Sequence, residues 1–135
     1  MRLLPAGWIF SHKGSAIFVR EGGGSELFLL GYLNSALATY FMKRLVNSTA
    51  TASLGYLEKL PYRRPSADLE TEVVERVDAI VTALQADPDA DIGRLRSEID
   101  DLIFDLFEIH SSRDEIRRFY NEVGKVVSDD QAATE

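Results

Sequence analysis

The sequence predicts a predominantly helical α+β fold: a small antiparallel sheet packed on one long central helix, followed by a helical hairpin and a third C-terminal helix. Two observations lead to this prediction. Near the N-terminus, short runs of β-branched and aromatic residues flank turn-forming residues, a pattern typical of paired strands. After Pro65 the chain carries only apolar stripes of helical period, which indicate helices packed against a core.

Three strands are expected in the first part of the chain. Residues 3–10 and 15–20 are rich in strand-forming residues, and the turn chemistry of residues 11–14 between them predicts a hairpin. Residues 56–60, just before Pro61, add a third extended segment. Because so small a sheet is stable only when another element covers it, we expect the central helix to lie on it.

The central helix is predicted to lie between Ser25 and Asn47. Ser25 is a favourable N-cap, and apolar residues cover more than half of the circumference of the segment that follows, so the helix should be mostly buried. Lys43 and Arg44 in the last turn would compensate the negative end of the helix dipole. A loop of hydroxyl-bearing and small residues, 47–55, then leads to the third strand.

The segment after Pro65 is predicted to be helical throughout. Two apolar stripes separated by the acidic, proline-containing residues 87–91 predict an antiparallel helical hairpin. Ser112 and Glu115 have the spacing of a capping box and predict the start of a third helix. The predicted organisation is an α+β subdomain at 1–65, a helical tail at 66–127 and a frayed acidic tail at 128–135.

Composition limits the kind of protein. The 135 residues include no cysteine, which excludes disulfides and thiolate metal sites. No apolar run reaches the roughly 20 residues of a membrane span and no cleavage pattern follows the N-terminus, so we expect a soluble, cytoplasmic protein without membrane contact. Residues 1–64 carry eight Lys or Arg and three Glu, a net charge of +5, whereas the rest of the chain has seven and nineteen, a net charge of −12.

This difference in net charge between the two parts of the chain indicates a basic functional surface joined to an acidic, solvated one. Lysines, arginines and loop hydroxyls hold phosphate backbones, and Arg, Lys and Asn can also contact base edges. From composition alone, an ordinary solvated loop beside a charge-compensated helix end explains the same residues equally well. The candidate DNA-binding residues are Lys13, Lys43, Arg44, Asn47, Thr49, Thr51, Tyr56, Lys59, Arg63 and Arg64.

Metal-binding and catalytic sites have weaker support in the sequence. Asp87, Asp89, Asp91 and Glu98 are spaced like calcium ligands, but Gly93 comes one position later than a calcium loop requires, and acidic capping of a helical hairpin explains them better. The two histidines are about a hundred residues apart, so a histidine metal site or triad is not expected.

Three short motifs occur in a distinctive order. LGYLNSAL at 30–37 is followed by a Ser/Thr loop and GYLEKLPY at 55–62, and IDDLIFDLF at 99–107 precedes Glu115 and Ile116. This order resembles the C-terminal target-recognition (specificity) region of TaqI-like restriction-modification adenine-N6 DNA methyltransferases, including the phage-defence (BREX) branch. The resemblance implies a domain that holds one side of the duplex while a separate catalytic domain flips and methylates adenine.

The chain departs from that family in lacking its catalytic and methyl-donor motifs. Residues 60–62 match only the end of the Asn-Pro-Pro-Tyr motif. We therefore expect a non-catalytic DNA-binding fragment that needs no cofactor, S-adenosylmethionine being expected only for a catalytic domain elsewhere. The expected partners are double-stranded DNA, a methyltransferase catalytic subunit or domain, and a second copy bound through the helical tail. The alternative is a helical protein-interaction or dimerisation module without DNA binding.

The DNA-binding hypothesis sets a geometric condition. The cations should share one accessible face with the Ser/Thr loop between them, because interleaved carboxylates would cancel their field within a Debye length of ~8–10 Å. The residues concerned are Lys43, Arg44, Lys59, Arg63 and Arg64, with Glu70, Glu72 and Glu75 pointing away.

Overall fold

In the part of the chain that the structure describes, the fold consists of five α-helices and one π-helical turn. The computed structural model describes residues 19–21, 24–46 and 59–134, with side chains described in 19–21, 24–44 and 59–123. The helices are α1 (Glu26–Leu33), α2 (Ala36–Phe41), α3 (Ala67–Ala86), α4 (Gly93–Leu106) and α5 (Arg113–Thr134), and α2 continues into a π-helical turn at Met42–Val46.

The predicted α+β class is wrong. Helix makes up 70% of the part of the chain that the structure describes, and that part contains no strand. Most of the residues predicted as strands, 3–18 and 56–58, lie outside the described residues, whereas 19–20 and 59–60 are described and have no strand structure. The physical reason is that α3, α4 and α5 pack on α1 and α2, where the sheet was expected.

One hydrophobic core joins the first and last parts of the chain. Phe28, Tyr32 and Leu37 of α1 and α2 are buried together with side chains from each of the three later helices. This cluster of buried side chains therefore includes residues from both sides of Pro65. The later helices contribute Val73, Val77, Ile99, Ile103, Phe104 and Ile116.

The predicted single central helix is broken at Asn34 and Ser35. The predicted start is confirmed, since the Ser25 hydroxyl accepts hydrogen bonds from the first turn of α1. Ser35, however, has extended backbone (φ −70°, ψ 158°), and its hydroxyl accepts from the Ala38 N–H at 3.2 Å. That geometry is an N-cap, so a second helix begins at Ala36.

A carboxylate from α4 completes this cap. The Oδ1 atom of Asp100 accepts a hydrogen bond from the backbone N–H of Ala36 at 2.9 Å. The first N–H groups of a helix have no partner within the helix, so this contact pairs a group that would otherwise be unsatisfied. Burial raises the pKa of the Asp100 carboxyl above its usual value, although the Ala36 N–H and two nearby arginines act in the opposite direction.

Gly31 allows α1 to approach α3 closely. A Cβ atom at this position would lie 2.8 Å from Val77 Cγ2 and 3.1 Å from Val73 Cγ1. Glycine in the middle of a helix lowers helix stability by roughly 1 kcal/mol relative to alanine, so its presence here reflects the packing distance.

Ion pairs and aromatic contacts connect α4 to α5. Arg113 pairs with Asp105 at 2.6 Å, and Arg117 pairs with Asp101 at 2.7 Å. Both guanidinium groups also lie over the buried ring of Phe104, at 5.3 and 5.4 Å from its centroid. These contacts place α5 against α4, where it also packs on α2.

Candidate nucleic-acid interface

The segment at 59–66, which leads into α3, is attached to the helices at two points. At the first point, the buried hydroxyl of Tyr32 donates a hydrogen bond to the carbonyl oxygen of Pro61. Burial raises the pKa of Tyr32 to about 12, with a smaller contribution from Tyr62. The hydroxyl therefore keeps its proton, and its role as a donor, through neutral pH.

The second point is the contact of Arg63 with the C-terminus of α4. Its Nη1 atom donates to the carbonyl oxygen of Leu106 at 3.0 Å and pairs with Glu108 at 3.2 Å. A cation at this end of a helix compensates the negative end of the dipole. The side chains of Arg63 and Glu108 are 52% and 74% exposed, so the ion pair itself contributes at most about 1 kcal/mol.

Glu108 has an unusual backbone conformation. The Ile109 N–H bonds to the Phe104 carbonyl at 2.9 Å and the Glu108 N–H to the Asp105 carbonyl at 3.1 Å, the hydrogen bonds of a Schellman motif. The residue at this position needs a positive φ and is usually glycine, whereas here it is Glu108 with φ 56°. A charged side chain thus occupies a position that favours glycine, next to Arg63.

A row of aromatic rings runs beside this segment. Tyr62 packs edge-on against Tyr32 at 6.0 Å, and Tyr32 stacks on Phe107 at 5.7 Å. Phe41 meets Phe107 at 6.0 Å and neighbours Tyr40 at 6.5 Å. The row continues to Phe119 of α5, 5.5 Å from Tyr40, and the Arg44 guanidinium lies 4.8 Å from the centre of that ring. Buried and half-buried rings therefore connect the surroundings of Tyr62 with those of Arg44.

The structure describes the side chains of five of the ten predicted DNA-binding residues. Arg44, Lys59, Arg63 and Arg64 are exposed, and Lys43 is half-buried in the π-helical turn. The others lie outside the described residues: Lys13, Asn47, Thr49, Thr51 and Tyr56.

Some of these residues bear on the condition that the cations share one accessible face, with the glutamates of α3 pointing away. Arg63 is paired with Glu108 beyond α4, not with the acids at the start of α3. Glu72 and Glu75 are exposed on α3, and Glu70 is half-buried. The Arg44 guanidinium lies over Phe119 at one end of the aromatic row, and Tyr62, which precedes Arg63, is at the other end. The one-face arrangement remains a prediction for the set as a whole.

Two residues of this region were not among the candidates. Tyr62 is the only large apolar side chain that is exposed in the described part of the chain, and its position between a proline and two arginines was the available signal. For Glu108 the sequence offers no signal, because a positive φ at a residue other than glycine cannot be recognised from residue type.

The acidic residues near the hairpin turn have structural contacts. Asp87 accepts from the Asp89 N–H and Asp91 accepts from the Gly93 N–H, both at 3.0 Å. Glu98 pairs with Arg76 and Arg94, and the hydrogen bonds from Arg94 and Arg76 lower its pKa. Within the described ranges, no group of three or more potential ligands is placed to hold a metal ion.

Among the helices described, none is long and apolar enough to cross a membrane. No protein-family model, curated protein or solved structure matches the chain.

Proposed function

We propose that this chain is a non-catalytic DNA-binding fragment, similar to the C-terminal target-recognition region of a type II restriction-modification adenine-specific DNA methyltransferase. The supporting observation is the exposure of Arg44, Lys59, Arg63 and Arg64 in a part of the chain with a net charge of +5. Exposed cations of this kind favour contact with a phosphate backbone. Any methyl transfer and its S-adenosylmethionine would belong to a separate catalytic domain, and the expected compartment is the cytoplasm.

Binding by this chain alone should be weak and strongly salt-dependent. Few cations are available to displace counterions, and the residues after 64 carry a net charge of −12, which repels DNA. Arg63 is partly committed to Glu108 and the end of α4, which reduces the share of binding that we expect from it.

The test compares two triple variants in a duplex-binding titration at several salt concentrations. The test variant replaces Arg44, Lys59 and Arg64 with alanine. The control removes three exposed arginines from the acidic helices, Arg94, Arg96 and Arg118. Each lost phosphate contact should reduce the slope of log affinity against log salt by roughly 0.9, so we expect weaker binding and a shallower slope in the test variant.

The control variant distinguishes local contact from total charge, because both variants lose three positive charges. Equal losses of affinity in the two would mean that only net charge matters, and unchanged binding in the test variant would exclude its three residues as contacts. Absence of duplex binding by the unmodified chain at low salt would refute the proposed function.

The alternative, a helical interaction module without DNA binding, has less support. The apolar stripes of α3 and α4 pack into the chain's own core, and apart from Tyr62 no large apolar side chain is exposed where side chains are described. Sedimentation of the unmodified chain measures its mass in solution, and a dimer that binds no duplex would favour this alternative.

A further inference from the structure

Tyr62 is held at the surface by its neighbours along the chain. The carbonyl oxygen of Pro61 accepts a hydrogen bond from buried Tyr32, and the side chain of Arg63 is attached to the end of α4. The residue between these two attachment points leaves its side chain 52% exposed. The exposure of this ring therefore follows from how the segment is anchored.

A ring that is fixed in this way is a favourable binding contact. An aromatic side chain that is already ordered loses little conformational entropy when a partner covers it. Tyr62 packs edge-on against Tyr32, with 73° between the ring planes, and this contact further limits its movement.

The charges around Tyr62 indicate the chemistry of the partner. Lys59, Arg63 and Arg64 are exposed on the same short segment. An exposed aromatic ring beside cations is the combination that binds single-stranded nucleic acid, where the ring stacks on a base and the cations follow the phosphates. The bases of an intact duplex are already stacked on each other, so only an unpaired base offers its face to a side chain.

We propose that Tyr62 stacks on a nucleobase in an unpaired stretch of DNA, with Lys59 and Arg64 at the neighbouring phosphates. This inference rests on the proposed function and adds to it, because it specifies a contact with a base where the exposed cations specify only phosphate contacts. The competing explanation is that Tyr62 only covers the ring of Tyr32.

The experiment measures binding of fluorescently labelled single strands at low salt. One strand is a deoxyadenosine oligonucleotide, and the other is an abasic strand of the same length with the same phosphates but no bases. Stacking should make the unmodified chain bind the deoxyadenosine strand more tightly than the abasic one. Tyr62→Leu should weaken binding to the deoxyadenosine strand by about 5- to 100-fold and leave binding to the abasic strand unchanged.

Tyr62→Phe is the matched control, because it keeps the ring and should keep the preference for the strand with bases. Leucine still covers Tyr32, so both variants should unfold at nearly the same temperature as the unmodified chain. A purely structural role would instead predict the same ratio of affinities in all three proteins.

The outcomes separate this inference from the proposed function. If the chain binds duplex DNA but shows no preference for the strand with bases, or if Tyr62→Leu keeps that preference, the stacking contact is refuted and DNA binding stands. If the chain binds neither the duplex nor either of the two single strands, both proposals are refuted.

Discussion

Helices α1 and α2 and helices α3 to α5 obtain their structure in different ways. The later helices have 20, 14 and 22 residues, and α3 starts at a cap that its own Ser66 provides. The first two have only eight and six residues, below the length at which an isolated helix is stable in water. Their boundary is capped by Ser35 and also by Asp100, which lies 64 residues from Ala36. The local sequence thus specifies α3 largely by itself, whereas α1 and α2 depend on distant residues.

The largest effect is expected where the two groups of helices approach most closely. Gly31→Ala would place a methyl group 2.8 Å from Val77 Cγ2. Alanine favours a helix by about 1 kcal/mol over glycine, but overpacking costs about 1–3 kcal/mol, so we expect a net loss of stability of up to about 2 kcal/mol. Urea unfolding, monitored by circular dichroism, measures this loss of stability.

Gly93→Ala is the matched control, because it adds the same methyl group at the exposed first residue of α4. It should change stability much less. Combining Gly31→Ala with Val77→Ala should cost less than the sum of the two single changes, since the second removes the methyl group that the first meets. A Gly31→Ala protein more stable than the unmodified one would show that helix propensity outweighs packing here.

The next effect concerns the cap of α2. Asp100→Ala leaves the Ala36 N–H without its acceptor and should cost about 1 kcal/mol, whereas Asp100→Asn retains a side-chain oxygen and should cost less. Thermal unfolding at neutral pH measures both. Equal stability of the alanine and unmodified proteins would mean that Ser35 alone holds the bend.

The raised pKa of the Asp100 carboxyl predicts that the stability of the folded state depends on pH. Burial raises the pKa of Asp100 in the folded state above 3.8, so the folded state binds this proton more tightly than the unfolded state. The stability from this group is complete below pH 3.8 and is lost as the pH rises through the higher folded pKa. Asp100→Asn removes this effect, so its stability relative to the unmodified chain should increase across that pH range and then level off. A difference that stays constant would contradict the raised pKa.

The two groups of helices also differ in how well their sequences predict their structure. The stripe that includes Val73 and Val77 predicted a helix correctly, because a helix with one buried face shows its period in the sequence. The apolar segment at 26–46 is buried on several sides, so its pattern does not reveal the break at Ser35. The sheet was predicted wrongly because strand propensity near the N-terminus was taken to decide what covers α1 and α2.

The candidate site was predicted only in part. Arg44, Lys59, Arg63 and Arg64 are exposed, as the composition suggested for a basic surface. The contact of Arg63 with Leu106 and Glu108 joins residues more than 40 positions apart, and no local pattern indicates it. Tyr62 was not among the predicted contacts, because tyrosine is intermediate in burial and residue type alone does not reveal its exposure.

The smallest effect is expected at the end of α4. Glu108→Gly relieves a positive φ but removes the exposed pair with Arg63, and these opposing effects should leave stability within about 1 kcal/mol of the unmodified chain. Glu108→Ala loses the pair and keeps the strained backbone, so it should be the least stable of the three proteins. Chemical unfolding of all three gives the order, and an alanine variant more stable than the glycine variant would contradict the role of backbone strain.

The position of Asp100 also bears on when the native bend forms during folding. The hairpin of α3 and α4 closes over a short turn, whereas the contact of Asp100 with Ala36 spans 64 residues and requires α4 to be in place. We therefore expect the bend at Asn34 and Ser35 to be among the last native features to form. Before α4 docks, the second helix has only the cap that the Ser35 hydroxyl supplies from within its own segment.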